Sequence, residues 1–125
     1  MDTPNILIVD DEALTCKLIS TMLKLQGYAS TSLTDPDRIW QVISAESPSL
    51  ILMDYHLGAS HGLELLQALK ANQATQIIPV VMTSGMDYKK EALSVGADDF
   101  LVKPFDWQEL VSVIKRVLDA ADHEG

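Results

Sequence analysis

Runs of consecutive apolar residues alternate along this chain with segments whose apolar residues recur at helical spacing. The clearest run is Leu-Ile-Leu-Met at residues 50–53, and Asp54 follows it directly. Such a run is typical of a strand that is buried on both faces, because a half-exposed strand would alternate with polar residues. A similar run at residues 6–9 precedes Asp10 and Asp11. Both runs are therefore predicted to be central strands of a sheet.

The whole chain alternates between strand and helix patterns. The predicted strands cover residues 6–9, 28–33, 50–54, 77–83 and 99–102. A helix is predicted after each strand, whereas residues 55–61 are predicted to form a loop. The first helix is expected to begin at Asp11 or Glu12, to end at Gly27 and to pack through Thr15, Leu18, Ile19, Met22 and Leu23. This alternation predicts an α/β fold with a parallel sheet, right-handed crossovers and helices on both faces.

Length, charge and composition restrict the class of protein. The 125 residues fit one domain, 1–125, whose core is expected at about residues 5–120. A formal net charge of -9 argues against direct nucleic-acid binding, which depends on cations that neutralise phosphates. The single Cys16 cannot form an internal disulfide, and no apolar run has the length of a membrane span. We therefore expect a cytoplasmic domain that makes no membrane contact.

Polar side chains stand at the ends of four predicted strands. They are Asp10 and Asp11, Asp54, Thr83 and Ser84, and Lys103. Because the first and third strands flank a topological switch point, the three carboxylates are expected to share one crevice. Oxygen ligands without a Cys or His cluster favour Mg²⁺. A helix N-cap would explain Asp10 and Asp11 alone, but not their pairing with Asp54. The set predicts a pocket for a phosphoryl group on Asp54, neutralised by Mg²⁺ and Lys103.

Five segments carry a resemblance to a known family. They are ILIVDDE at 6–12, LMD at 52–54, GLEL at 62–65, IPVVMTS at 78–84 and GADDFLVKPF at 96–105. In this combination the chain resembles the receiver domains of response regulators in two-component signalling, over essentially its whole length. The resemblance implies a doubly wound, flavodoxin-like sheet of five parallel strands in the order 2-1-3-4-5. It also implies a signalling phosphoacceptor rather than an enzyme.

The resemblance implies a role for each residue of the pocket. Asp54 would accept a phosphoryl group from the phosphohistidine of a sensor histidine kinase or a histidine phosphotransfer protein. Asp11, Asp54 and the main-chain carbonyl of His56 would ligate Mg²⁺, and Asp10 would act through water. Lys103 would hold a phosphoryl oxygen.

The resemblance also implies how the signal leaves the site. Ser84 fits the family's switch hydroxyl better than Thr83, and Phe100 fits its aromatic switch position. The phosphoryl group would draw Ser84 inward and let Phe100 rotate inward, which changes contacts with a downstream protein or a fused output domain. The Lys103–Pro104 peptide is expected to be cis, as in the family.

The chain departs from the family pattern in its loops. Gly58 stands where proline is common, and His61 stands where an acidic or small residue is common. The segment between Ser84 and Gly96 is shorter by about three residues, close to one helical turn. His56 lies where the family varies side chains that flank the attacking water. A solvated loop histidine is the simpler interpretation of that side chain, and a metal ligand or general base is the alternative.

Three other functions remain open at this point. An aspartate-dependent phosphohydrolase would use the same nucleophile, but that class resembles Asp-x-Asp and this chain has His56 at the second position. A flavin or nucleotide binder would need a Gly- or Ser/Thr-rich loop after the first strand, where this chain has acidic residues that repel phosphate. A receiver-like module that is never phosphorylated is the third alternative, and the presence of all five site positions argues against it.

Overall fold

The computed structural model describes residues 3–58 and 60–124, and the side chains of these residues other than Ser60, His123 and Glu124. Its main sheet consists of β1 (Asn5–Val9), β2 (Ala29–Leu33), β3 (Leu50–Asp54), β4 (Val80–Ser84) and β5 (Asp99–Val102). All neighbouring strands are parallel, and their spatial order is β2-β1-β3-β4-β5. The predicted fold class and strand order are confirmed.

Five helices connect and follow the strands. They are α1 (Ala13–Leu25), α2 (Ile39–Glu46), α3 (Gly62–Ala71), α4 (Lys89–Val95) and α5 (Trp107–Glu124), and a short 3-10 turn (Pro36–Arg38) precedes α2. Gly27, at φ 87°, follows the end of α1 as predicted. Asp106 Oδ1 accepts a hydrogen bond from Glu109 N at 2.8 Å and so caps α5. No helix in the described ranges is long and apolar enough to cross a membrane.

The sheet is covered on both faces, as its continuous apolar strands predict. In β3, Leu50 and Leu52 pack on one face with α1 and α5, whereas Ile51 and Met53 pack on the other with α2, α3 and α4. All five residues of β3 are buried. Alternate side chains of one strand thus serve two separate cores, which explains why the sequence there shows no polar alternation.

The first helix is turned relative to its predicted packing face. Leu18 was expected in the core but is 55% exposed, whereas Cys16 is buried with Ile19 and Leu23. The small thiol fits against the sheet, where its Sγ donates a hydrogen bond to the carbonyl oxygen of Asp10 at 3.5 Å. Leu18 is therefore a correction to the predicted core.

Two predicted boundaries also differ. The fourth strand was predicted from residue 77, but β4 begins at Val80, and Ile77 is 80% exposed. Ile78 N donates to Thr75 O at 3.0 Å, so this stretch turns before it enters the sheet. The predicted loop after β3 contains a short antiparallel hairpin of two strands, His56–Leu57 and Ser60–His61. We call this element the loop hairpin.

Candidate functional site

Three carboxylates meet at the carboxyl ends of β1 and β3. Asp10 and Asp11 follow β1 directly, and Asp54 is the last residue of β3. Their carboxylate oxygens lie within 4.8 Å of one another. Asp10 is 2% exposed and Asp54 is 8% exposed, whereas Asp11 is exposed. The predicted convergence is therefore present, with two buried carboxylates and one that faces solvent.

Lys103 bridges the two buried carboxylates from the end of β5. Its Nζ donates to Asp54 Oδ2 at 2.9 Å and to Asp10 Oδ2 at 3.0 Å. Its main-chain N donates to Ser84 O at 2.7 Å, which ties the lysine to the end of β4. The Lys103–Pro104 peptide is cis, as expected. One ammonium thus partly neutralises two carboxylates that would otherwise repel each other.

The second oxygen of each buried carboxylate is held by the main chain. Asp54 Oδ1 accepts from His56 N at 3.0 Å, and Asp10 Oδ1 accepts from Glu12 N at 2.9 Å. The bond to Glu12 N is an Asx turn just before α1, and α1 begins without a side-chain cap, so the helix-capping role considered for Asp10 and Asp11 is not observed. These bonds fix the orientation of both carboxylates.

Burial and pairing change the proton affinities of the site. Burial raises the pKa of Asp54 above its usual range, although the hydrogen bonds from His56 N and Lys103 oppose this. Burial alone would lower the pKa of Lys103, but its hydrogen bonds to Asp54 and Asp10 outweigh that effect and raise it. Lys103 therefore stays a cation, and positive charge beside Asp54 favours the ionised form of its carboxylate.

The predicted hydroxyl and aromatic positions lie next to this group. Thr83 pairs with Asp54 across β3 and β4, and Thr83 and Ser84 are both buried. Ser84 Oγ accepts from Met86 N at 3.2 Å. Phe100 is 6% exposed and packs in the core that contains α2, α3 and α4. The ring of Phe100 therefore already lies in the core, and this structure offers no exposed position from which it could rotate inward.

The close approach of α3 to the end of β3 was not predicted from the sequence. A Cβ on Gly62 would lie 2.5 Å from Asp54 O and 2.9 Å from Tyr55 O. Gly62 N also donates to Tyr55 O at 2.8 Å. Only glycine allows the helix to start this close to Asp54. Its position at the head of the GLEL segment was the available signal.

An aromatic cluster beside Asp54 was also not predicted from the sequence. The rings of Tyr55 and Tyr88 stack with their centroids 4.2 Å apart and an interplanar angle of 14°. The imidazole ring of His56 makes edge-type contacts with both of them. The two tyrosines follow the ends of neighbouring strands, β3 and β4, and this placement was the signal for their contact. The stack joins the loop after Asp54 to the loop after Ser84.

The donor set fits a hard divalent cation. Asp10, Asp11 and Asp54 offer only carboxylate oxygens, and exposed Asp11 gives access from solvent. Mg²⁺ prefers a few carboxylates together with water, in contrast to the His and Cys ligands of Zn²⁺. These residues could therefore hold Mg²⁺ at the end of the sheet.

Comparison with known proteins gives a consistent picture. The family model described as the response regulator receiver domain matches residues 6–115. The phosphate regulon transcriptional regulatory protein PhoB of Pseudomonas aeruginosa is 40% identical over 116 residues, which cover 90% of this chain and 51% of PhoB. The chain thus spans about half the length of the curated relatives it matches.

Two solved receiver structures resemble this one closely. A CheY-like response regulator receiver domain protein from Methanospirillum hungatei has a TM-score of 0.88 at 28% identity, with 99% of this chain and 100% of that chain covered. The receiver domain of NtrX from Brucella abortus has a TM-score of 0.83 at 33% identity, with 91% and 98% covered.

Proposed function

The chain belongs to the response regulator receiver domain family, a signalling domain of two-component systems, and from this premise we propose that Asp54 is its phosphoacceptor. The proposed donor is a phosphohistidine on a sensor histidine kinase or on a histidine phosphotransfer protein. The phosphorylated domain would then change its contacts with a downstream protein or a fused output domain.

One observation carries the proposal. Lys103 lies between two buried carboxylates, 2.9 Å from Asp54 Oδ2 and 3.0 Å from Asp10 Oδ2, at the same sheet edge as exposed Asp11. Burial of two carboxylates costs free energy, and sites that a protein keeps at such a cost often serve function rather than stability. A nucleophilic carboxylate, a cation at hydrogen-bond distance and a solvent-facing metal ligand are the parts that phosphoryl transfer requires.

The proposed step uses the carboxylate of Asp54 as nucleophile. An oxygen–phosphorus bond forms at Asp54 as the nitrogen–phosphorus bond of the phosphohistidine breaks, and the imidazole leaves in line. His56 N holds Asp54 Oδ1 in place, and Lys103 is close enough to donate to a phosphoryl oxygen. Water later attacks phosphorus, breaks the bond to Asp54 and releases inorganic phosphate.

Asp11, Asp54 and the main-chain carbonyl of His56 are the proposed direct ligands of Mg²⁺, and Asp10 is proposed to act through water. When bound, Mg²⁺ supplies positive charge that neutralises phosphoryl oxygens. The solvent exposure of Asp11 and the oxygen-only donor set support this assignment.

Ser84 is the proposed switch hydroxyl. Its Oγ already takes part in a hydrogen bond with Met86 N, so a phosphoryl oxygen would compete with the loop after β4 for this side chain. Thr83 would support it from the neighbouring position of the strand. Since Phe100 is buried, the change is proposed to reach the surface through the packing around Phe100 and α4 rather than through exposure of the ring.

The direct test is the intact mass of the protein after incubation with acetyl phosphate, with Mg²⁺ or with EDTA. We expect a single phosphate adduct that requires Mg²⁺ and is absent from Asp54→Asn. Asp106→Asn is the matched control, because this exposed residue caps α5 and asparagine caps a helix equally well.

A missing adduct in wild type would contradict the proposal and favour a receiver-like module that acts without phosphorylation. An adduct that persists in Asp54→Asn would show that another side chain reacts. Transfer from a phosphorylated histidine kinase, measured with the same variants, then tests the proposed donor.

A further inference from the structure

The loop hairpin places two histidines directly opposite each other. His56 pairs with His61, and Leu57 pairs with Ser60, in an antiparallel ladder. Gly62 N donates to Tyr55 O at 2.8 Å on the side of the pair away from the turn. Because hydrogen-bonded and non-hydrogen-bonded pairs alternate in such a ladder, His56 and His61 form a non-hydrogen-bonded pair.

This type of pair brings side chains close together on one face. Opposite residues in a non-hydrogen-bonded pair have Cα atoms about 4.5 Å apart and the closest side chains in the ladder. Both histidines are exposed. The ring of His56 makes edge-type contacts with both Tyr55 and Tyr88, at centroid distances of 5.0 Å and 5.9 Å. Two imidazoles on one face of a hairpin can therefore turn their nitrogens toward a shared cation.

The surroundings attract a cation rather than repel it. Asp11 Oδ2 lies 3.6 Å from the position that a Cβ on Gly58 would take, so the acidic group lies beside the turn of the hairpin. Lys103 is the cation paired with the carboxylates at this edge, and the three carboxylates of Asp10, Asp11 and Asp54 outnumber it. Negative charge at this edge raises the local concentration of divalent cations.

From this geometry we infer that His56 and His61 form a second metal site, which takes a borderline divalent cation such as Ni²⁺, Zn²⁺ or Cu²⁺. Imidazole nitrogen suits these ions, whereas carboxylate, carbonyl and water oxygens suit Mg²⁺. The two histidines supply two ligands, and water completes the coordination. The site does not require phosphorylation. It uses imidazole nitrogens, whereas the proposed Mg²⁺ site uses carboxylate oxygens and the main-chain carbonyl of His56.

The test is calorimetric titration of the untagged protein with NiCl₂ in the presence of excess Mg²⁺. Excess Mg²⁺ competes with Ni²⁺ for the carboxylates, so the Ni²⁺ binding that remains is assigned to the histidines by comparing the variants below. Loss of an outer-shell partner alone typically costs ten- to a hundredfold in metal affinity, so His61→Gln should weaken Ni²⁺ binding by at least about tenfold. His56→Gln should have a similar effect.

The chain offers matched controls. His123→Gln changes its only other histidine and should leave Ni²⁺ affinity unchanged. Asp11→Asn tests the carboxylate group, and Ni²⁺ binding should persist in this variant. Urea unfolding of each variant verifies that the fold is intact.

Three results would overturn the inference. They are no Ni²⁺ binding by wild type, equal binding by wild type and His61→Gln, and binding that is lost in Asp11→Asn but kept in His61→Gln. The last result would assign the ion to the carboxylates instead.

Discussion

Gly62 offers a sharp test of how closely α3 packs against the end of β3. In Gly62→Ala, the new methyl group would lie 2.5 Å from Asp54 O, 2.9 Å from Tyr55 O and 2.8 Å from Met82 Cε. Two of these neighbours are main-chain carbonyls, which no side-chain rotation can move. The Met82 side chain is fully buried and has little room to yield. Either α3 or the loop after Asp54 must therefore shift.

The size of the effect follows from two opposing contributions. Overpacking of a filled site costs about 1–3 kcal/mol, and contacts with main-chain atoms favour the upper end of that range. Replacing glycine by alanine in a helix returns about 0.5–1 kcal/mol. We therefore expect Gly62→Ala to lower the free energy of unfolding by about 2 kcal/mol. Acetyl phosphate labelling of Asp54 should also slow, because its carbonyl is one of the displaced atoms.

Urea unfolding monitored by circular dichroism measures the first effect, and intact mass against time measures the second. Gly85→Ala is the matched control, since a Cβ at Gly85 meets nothing within 4 Å and its φ lies outside the left-handed range. That variant should be neutral or slightly more stable. If Gly62→Ala and Gly85→Ala unfold at the same urea concentration, the close approach of α3 to Asp54 does not exist in solution.

Three further predictions concern the charges and rings of the site. Lys103→Met leaves Asp10 and Asp54 without their shared cation, so the free energy of unfolding should fall by about 3 kcal/mol. Mg²⁺ should restore part of this loss, which urea unfolding with and without the ion measures. Because burial raises the pKa of Asp54, the folded state without Mg²⁺ binds protons more readily than the unfolded state. The contribution of Asp54 to the free energy of unfolding is therefore largest in acid. It is lost as the pH rises through the pKa of the folded state. Asp54→Asn should flatten that slope in unfolding measured across pH. Tyr88→Ala should lose about 1 kcal/mol with its Tyr55 stack, whereas Tyr88→Phe should keep it in thermal unfolding.

The sheet and its edge could be predicted because they depend on patterns within short segments. The run at residues 50–53 has to be buried on both faces, and this places Asp54 at a strand end in the middle of a parallel sheet. Parallel strands bring their carboxyl ends to one edge, so Asp11 and Lys103 followed from the same rule. Topology therefore predicts the composition of the site before any side chain is positioned.

Periodicity alone did not determine how α1 faces the sheet. Leu18 and Cys16 both lie near the edge of the same helical stripe, and hydrophobicity favours leucine for the core. The structure buries Cys16 because its small thiol fits against β1 and reaches the carbonyl of Asp10. Which of two neighbouring residues is buried depends here on side-chain volume and on a single hydrogen bond. A pattern of hydrophobic positions carries no information on either.

The loops over the sheet depend on contacts between residues that lie far apart in sequence. The Tyr55–Tyr88 stack joins the loops after β3 and β4, and Gly62 sets how closely α3 approaches Asp54. Phe100 is buried, whereas Ser84 is linked to this stack through Met86, whose N donates to Ser84 Oγ and whose Sδ accepts from the Tyr88 hydroxyl. The fold thus accounts for the carboxylates and the lysine at the end of the sheet, whereas the aromatic and histidine contacts above them depend on how the loops pack.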